Sequence, residues 1–319
     1  MRSGPTVLIL TQPFDVTADY VVNELQQRGA RVFRCNLGDF PCALSVSAGL
    51  SQGWTGSLNL PGRTIDLADV GCAWYRRPTV FEFPTTLSAQ ERRWASTEAR
   101  LGLGGVLAAL PRWLNHPCDI ARAEYKPLQL AHARTVGLTV PDTLITNDPD
   151  EARRFAKEHE DIIYKPFSSL GVFEQGQYRI VYANRITADD ITNTVTATVH
   201  LFQKWVPKAF EVRLTVIDDD LFAVRIDADS AAAMVDWRTD YTHLHYSEIT
   251  VPETVRDGVR NLLKMLMLRF AALDFVVTPG NEWVFLEANP NGQWAWLQDA
   301  TGLPITIAIA DALTKEPHL

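Results

Sequence analysis

Three oxygen-bearing side chains near the C-terminal end of the chain, Asp274, Glu287 and Asn289, are of the types that suit a hard divalent cation. Asp274 lies at the start of the apolar run 273–277, and Glu287 follows a second run, 282–286. Pro279-Gly280-Asn281 stands between them. That turn chemistry predicts a hairpin, and antiparallel pairing brings the start of one strand beside the end of the other. Two carboxylates and an amide at one end of a sheet, completed by waters and phosphate oxygens, match the ligand preference of Mg²⁺.

Two lysines stand where a phosphate could meet them. Lys126 precedes Pro127 at the start of a predicted helix, and Lys165 ends the apolar strand Ile162-Ile163-Tyr164. Singly, each is an ordinary surface lysine. The segment Gln203-Lys204-Trp205-Val206 alternates polar and apolar residues, and its backbone beside Val206 could pair with an adenine edge. An ordinary amphipathic strand is the alternative. Further cations follow at Lys208, Arg213, Arg225 and Arg238, with Glu211 among them. Asp236-Trp237-Arg238 puts an acid and a base on one face if that segment is extended. His243 and His245 form an H-x-H without a third ligand. No serine sits in a G-x-S-x-G elbow, which excludes the usual hydrolase triad.

The elements that must position these residues read as α/β. The strand 7–10, a helical pattern through Val16, Tyr20, Val21 and Leu25, a stop at Gly29 and a strand at 31–33 open an α/β layer. No G-x-G-x-x-G follows its first strand, so a dinucleotide site there is not expected. Segments 56–60 and 64–67, joined by Pro61-Gly62, predict a small hairpin. Ser88-Ala89-Gln90-Glu91 is a capping box for a long helix through Trp94, Leu101 and Leu107. A second unit starts near His116-Pro117. Strands at 201–206, 210–217 and 221–226 predict an antiparallel sheet, with an amphipathic helix whose inner face is Val255, Val259, Leu262, Leu263, Leu266 and Phe270.

Bulk properties narrow the class. The 319 residues are 46% hydrophobic and 21% charged, enough for two or three packed cores. Thirty-eight acidic against 30 basic residues give a formal charge of -8, which disfavours a nucleic-acid partner. The apolar run 6–10 is too short for a signal core or a membrane span. Cys35, Cys42, Cys72 and Cys118 show no C-x-x-C spacing and read as free thiols of a cytoplasmic protein.

The order of two Lys-Pro lysines, the Gln-Lys-Trp-Val segment, and Asp274 followed by Glu287-Ala288-Asn289-Pro290 resembles the ATP-grasp superfamily. Four motifs are closer to the ATP-grasp ribosomal peptide maturases that make graspetides of the microviridin type. They are Trp74-Tyr75-Arg76-Arg77-Pro78, Glu124-Tyr125-Lys126-Pro127-Leu128, Ile163-Tyr164-Lys165-Pro166 and Leu286-Glu287-Ala288-Asn289-Pro290-Asn291-Gly292-Gln293-Trp294. The resemblance implies an ATP-grasp fold of class α/β (α+β), with a pre-ATP-grasp N-terminal domain (1–116), a central domain (117–200) and a C-terminal antiparallel-sheet domain (201–319).

It also implies that Lys126 and Lys165 contact ATP phosphates, that Gln203, Lys204, Trp205 and Val206 face adenine, and that Asp274, Glu287 and Asn289 hold Mg²⁺. Arg213 and Arg225 would meet phosphates or a developing acyl phosphate. Asp236 and Arg238 look like the D-x-R pair thought to engage the core peptide. The partner would be a ribosomal precursor peptide with leader and core, the assembly a homodimer, and the product a macrocyclic ester or amide. Tyr178 to Ile186 is the region considered for the leader. The loop 168–172, Ser-Ser-Leu-Gly-Val, has fewer glycines than many phosphate-covering loops of this superfamily. Two other readings compete: a ligase adding a free amino acid to a protein or peptide carboxylate, and a non-catalytic ATP-binding regulator on the same fold.

Overall fold

The structure, a computed structural model, describes residues 5–167, 172–174, 177–179, 182–230 and 233–315. The N-terminal unit contains β1 (Thr6–Thr11), α1 (Val16–Gln27), β2 (Arg31–Cys35), β3 (Ser45–Leu50), β4 (Trp54–Leu60), β5 (Arg63–Asp66), β6 (Val70–Arg77) and α2 (Ala89–Ala108). β1 is buried along its whole length because it is the middle strand of a parallel sheet ordered β2-β1-β6. Asp15 caps α1 by accepting the Ala18 N–H, and Gly29, at φ +72°, ends the turn that follows. β3, β4 and β5 form a separate antiparallel sheet whose β4–β5 hairpin turns at Pro61-Gly62. Ser88 and Glu91 complete the capping box of α2. Ala99, Leu103 and Leu107 are the residues α2 buries. Of the residues marking the predicted helix, Leu107 is buried and Trp94 and Leu101 are exposed.

α3 (Pro117–Ala123) and α4 (Lys126–Thr135) lead to β7 (Thr143–Thr146), α5 (Pro149–His159), β8 (Ile162–Lys165), β9 (Val172–Glu174), β10 (Gln177–Arg179), β11 (Asn184–Ile186) and β12 (His200–Lys204). β11-β8-β12-β7 is one antiparallel sheet. The strand expected to open the C-terminal unit at residue 201 therefore pairs with the central sheet. The segment 205–208 carries the chain onward to the next sheet.

There β13 (Phe210–Ile217), β14 (Asp220–Ala228), β15 (Leu244–Glu248), α6 (Glu253–Leu266), β16 (Phe270–Val277), β17 (Trp283–Asn289), α7 (Ala295–Thr301) and α8 (Ile305–Thr314) follow. The strands form an antiparallel sheet ordered β15-β14-β13-β16-β17. α6 presses Val255, Val259, Leu262, Leu263 and Leu266 onto Val212, Leu214, Leu273, Phe275 and Phe285, and Leu130 and Ala133 of α4 join the same core. Each such side chain contributes about 1.5–3 kcal/mol on burial. Phe270, expected at the end of α6, instead opens β16, because Met267 turns left-handed at φ +58° and stops the helix.

A second core binds the ends of the chain together. α8 packs Ile305, Ile309 and Leu313 with Val21, Leu25 and Trp74 of the N-terminal unit and with Ile217 and Phe270 of the C-terminal sheet. Asn115 locks the joint: its Oδ1 accepts the Arg269 and Phe270 N–H groups, and its Nδ2 donates to the carbonyls of Phe270 and Pro290. The N-terminal unit is thus held against the strand that carries Asp274. Among the described residues no helix is long and apolar enough to cross a membrane.

Candidate active site

The site begins with a change of phase in one strand. Up to Phe285, β17 pairs Trp283 with Val277 and Phe285 with Phe275, and these residues face the α6 core. Glu287, two residues on, would face that core as well. The register instead jumps between Asp274 and Phe275, so that Glu287 lies opposite Asp274 and Leu286 is the extra residue of a bulge. Ala288 then takes the core-facing position, and Glu287 and Asn289 turn to the other face with Asp274. Arg213 is the β13 partner of Asp274, so Arg213, Asp274 and Glu287 form a row across three strands.

Each carboxylate of that row has a cation. Arg213 Nη1 donates to Asp274 Oδ1 at 2.7 Å, and Lys126 Nζ lies 2.7 Å from Glu287 Oε2. Lys126 also donates to the Pro166 carbonyl at 3.1 Å, which brings the start of α4 against the residue after Lys165. Burial alone would raise the Glu287 carboxyl, but Lys126, Arg238 and Lys165 outweigh it and hold it at about 2. Asp274 goes the other way. Burial and the neighbouring Glu287 charge raise its carboxyl above the usual range, although Arg213 opposes them. The Lys165 ammonium is pushed down by burial and by the charges of Lys126 and Arg238.

Two like-charged, half-buried groups side by side in one row, one of them resisting ionisation, suit a divalent cation between them. Asn289 adds a third oxygen on the same face. Its Oδ1 accepts the Asn291 N–H at 2.9 Å and keeps a second lone pair. Among the described residues no three His, Cys, Asp or Glu side chains group into a metal site of their own. The donor set is two carboxylates and an amide, which fits Mg²⁺ completed by nucleotide phosphates rather than a closed protein cage.

Asp236 and Arg238 join from the loop before β15, though not as an extended pair. Asp236 caps a short 3-10 turn, accepts Arg238 Nε and Nη2 at 2.8 and 2.7 Å, and receives the Ala183 N–H of the central unit. Asp236 is buried and held below the usual carboxylate range: burial would raise it, and the bonds from Arg238 prevail. Arg238 is correspondingly raised against the pull of burial by Asp236, with Glu287 and Asp274 adding to it. Asp236 thus fixes the direction of Arg238 and is a weak base as it stands.

The expected nucleotide segment divides. Gln203 is buried and donates to Thr143 Oγ1 at 3.0 Å. Lys204 is exposed, and its N–H and that of Trp205 are taken by the carbonyls of Asp142 and Asp161. The Arg185 guanidinium and the Lys208 ammonium lie 5.0 and 5.8 Å from the centre of the Trp205 ring, and Lys208 pairs with Glu211. Val206 forms no backbone hydrogen bond within the described residues, so its N–H and carbonyl are available to an adenine edge.

Arg225 corrects an expectation. Its partner across the β13–β14 ladder is Val212, which faces the α6 core, so Arg225 points away from the Arg213 face. There it chelates Asp227 and stacks on Phe210 at 3.9 Å. The period of two along a strand separates it from the site. His243 and His245 also diverge, to Asp240 and Asp229. The loop residues 168–171 and, within the segment 178–186 considered for the leader, residues 180 and 181 lie outside the described residues.

Sequence reasoning assigned no role to the end of β6. Arg76 is 1% exposed and donates to the Asn291 carbonyl and to Gln293 Oε1. Arg77 reaches the same carbonyl at 3.3 Å. A signal was present: Cys72, Trp74 and Arg76 alternate along one face of a strand whose other members of that face are buried.

The MvdD pre-ATP grasp domain family matches residues 6–121. An ATP-grasp ligase from Chryseobacterium gregarium, associated with ribosomally made peptides and solved in complex with ADP and a leader and core peptide, is 30% identical. It superposes with a TM-score of 0.90 over 97% of this chain and 96% of that one. The chain belongs to the ATP-grasp ligases of ribosomal peptide maturation. The macrocyclase MdnB from Microcystis aeruginosa MRC is similar to this ligase at 30% identity and a TM-score of 0.83, covering 98% and 100% of the two chains. The macrocyclase MdnC from the same source, solved with precursor peptide MdnA, is similar at 27% and 0.87, covering 97% and 99%. No curated protein sequence matches the ligase.

Proposed function

We propose that this ligase activates Asp or Glu side-chain carboxylates of a ribosomal precursor peptide with ATP and closes them onto Ser or Thr hydroxyls, or a Lys amine, of the same peptide. The observation that supports the reading is the row Arg213, Asp274 and Glu287 with Asn289 beyond the Leu286 bulge, with Lys126 paired to Glu287 and the Lys165 charge acting on it. Mg²⁺ held by Asp274, Glu287 and Asn289 would neutralise phosphate charge and polarise the transferring group. Lys126 and Lys165 would hold phosphates, and the Val206 backbone the adenine. Arg213 would face the developing acyl phosphate.

Attack of a carboxylate oxygen on the γ-phosphorus releases ADP and leaves an acyl phosphate. The hydroxyl or amine then attacks the acyl carbon, phosphate leaves, and the nucleophile loses its proton. Both partners of the first step are anions, so surplus cations at the site lower its barrier. Arg238, aimed by Asp236, would orient the peptide carboxylate. The relatives solved with leader, core or precursor peptides support a peptide substrate. A homodimer is part of the reading and is checked by light scattering. A reducing cytoplasm suits the four free thiols, of which Cys35 is pushed up to about 12 by burial and is unreactive. Neither nucleic acid nor membrane enters it.

Intact-mass analysis of an acidic, hydroxyl-rich or lysine-rich precursor incubated with enzyme, ATP and Mg²⁺ tests the proposal. One water lost per ring is expected. Unchanged peptide mass with ADP release, or a gain equal to an added amino acid, would replace it with a different ligase.

A further inference from the structure

We propose that Arg76 is a positioning residue for the metal-binding turn, so that the N-terminal unit sets the geometry of Asn289. Arg76 donates from Nη1 to the Asn291 carbonyl and from Nη2 to Gln293 Oε1, each at 2.5 Å, and its Nε lies 3.6 Å from Asp15 Oδ2. Thr17 Oγ1 donates to the same Gln293 oxygen at 2.7 Å. Two elements of the N-terminal unit, α1 and β6, therefore grip residues 291 and 293.

The grip reaches the ligand set by two routes. The N–H of Asn291, whose carbonyl Arg76 holds, donates to Asn289 Oδ1. The Gln293 carbonyl accepts Arg213 Nη2 at 3.4 Å, and Arg213 in turn pairs with Asp274. Gly292, between the two gripped residues, has no room for a side chain: a Cβ there would meet Ala272 Cβ at 2.3 Å and Arg213 Nη2 at 2.8 Å.

Simple adhesion between units does not explain the choice of residue. Asp15 and Arg76 are 4% and 1% exposed, and a buried pair is commonly no more stabilising than apolar side chains of the same volume. What a guanidinium supplies is two directed donors in a rigid fork. Groups one bond behind a metal ligand orient it, and their loss typically weakens metal affinity about 10- to 100-fold.

The inference rests on the Mg²⁺ site proposed above, and its test needs no peptide. ADP binding to the full chain is measured by calorimetry with Mg²⁺ and with chelator, for the wild type, Asp15→Asn/Arg76→Met and Gln293→Leu. The double variant removes both buried charges, and the second leaves the Asp15–Arg76 pair in place. In both, metal-free ADP affinity should stay within about threefold while the tightening by Mg²⁺ falls about tenfold or more. A loss of general structure would weaken both affinities together. Retention of the full Mg²⁺ effect in a folded variant overturns the inference. If the double variant does not fold, Gln293→Leu decides by the same ratio. A wild type whose ADP affinity ignores Mg²⁺ would sink the metal site, and this inference with it.

Discussion

Asp274→Asn and Glu287→Gln should move stability in opposite directions while abolishing the same activity. Glu287 is held at about 2 against an ordinary 4.5, and at about 1.4 kcal/mol per pKa unit its charge stabilises the metal-free fold by about 3 kcal/mol. A depressed carboxyl contributes fully above its unfolded value and loses that contribution as pH falls toward about 2. Asp274 is raised by burial and by Glu287, even with Arg213 bonded to it. A raised carboxyl favours folding at acid pH, and this advantage is lost as pH rises through the folded value. At neutral pH the Asp274 charge therefore works against the metal-free fold. Asn at 274 still accepts from Arg213 and removes that charge. In chelator at pH 7.5, Glu287→Gln should lower the thermal midpoint by several degrees, at about 2–4 °C per kcal/mol, and Asp274→Asn should raise it. The Asp274→Asn gain should shrink as the measurement moves to pH 4. Both variants should lose ligase activity by at least about 100-fold, since each removes charge from the proposed Mg²⁺ site. Midpoints that shift in the same direction would refute this account of the pair.

Asn115→Leu strips partners from two buried backbone N–H groups and two carbonyls and should cost at least about 3 kcal/mol in urea unfolding; a loss under about 1 kcal/mol would contradict the role given to that joint. Gly292→Ala drives a methyl into Ala272 and Arg213, so turnover should drop about tenfold or more with metal-free ADP affinity little changed. Arg225→Ala lies on the far face of the sheet, and turnover within about twofold of wild type is expected, whereas Arg213→Ala should lose about 100-fold; equal losses would return Arg225 to the site.

The hairpin carrying Asp274 and Glu287 was legible because Pro279-Gly280-Asn281 separates two apolar runs, and the long face of α6 because Val255, Val259, Leu262, Leu263 and Leu266 recur at helical spacing. The bulge at Leu286 was not, although the apolar phase breaks between Phe285 and Ala288, since a one-residue slip is visible only against the partner strand. The same limit misplaced Arg225: which face a strand residue takes depends on register, and Val212 settles that only through pairing. The strand at 200–204 reads alike whichever sheet receives it, because pairing with β7 and β8 is nonlocal. Trp94 and Leu101 keep helical spacing, yet α2 buries only Ala99, Leu103 and Leu107, and spacing alone does not say which part of a helix is covered. Arg76 was visible as a motif but not as a contact, because Asn291 and Gln293 lie more than 200 residues away.

The charges of the site argue that nucleotide and cation bind as one. Lys126 is engaged by Glu287, Arg213 by Asp274, Arg238 by Asp236 and Lys208 by Glu211. Lys165 alone among these cations has no carboxylate partner within the described residues. A triphosphate arriving by itself would find one cation without a carboxylate partner among the described residues, and could recruit Lys126 only by taking from Glu287 its ion-pair partner. A divalent cation arriving by itself would be repelled by Lys126 and Arg213 at the carboxylates it needs. Together the two relieve each other, since occupation of Glu287 and Asp274 frees Lys126 and Arg213 to turn toward phosphate. Linkage makes that coupling reciprocal: whatever factor Mg²⁺ gives to nucleotide affinity, nucleotide must give to Mg²⁺. On the proposed assignment, the engaged lysine and arginine would serve as placeholders that keep the carboxylates aimed until both ligands are present.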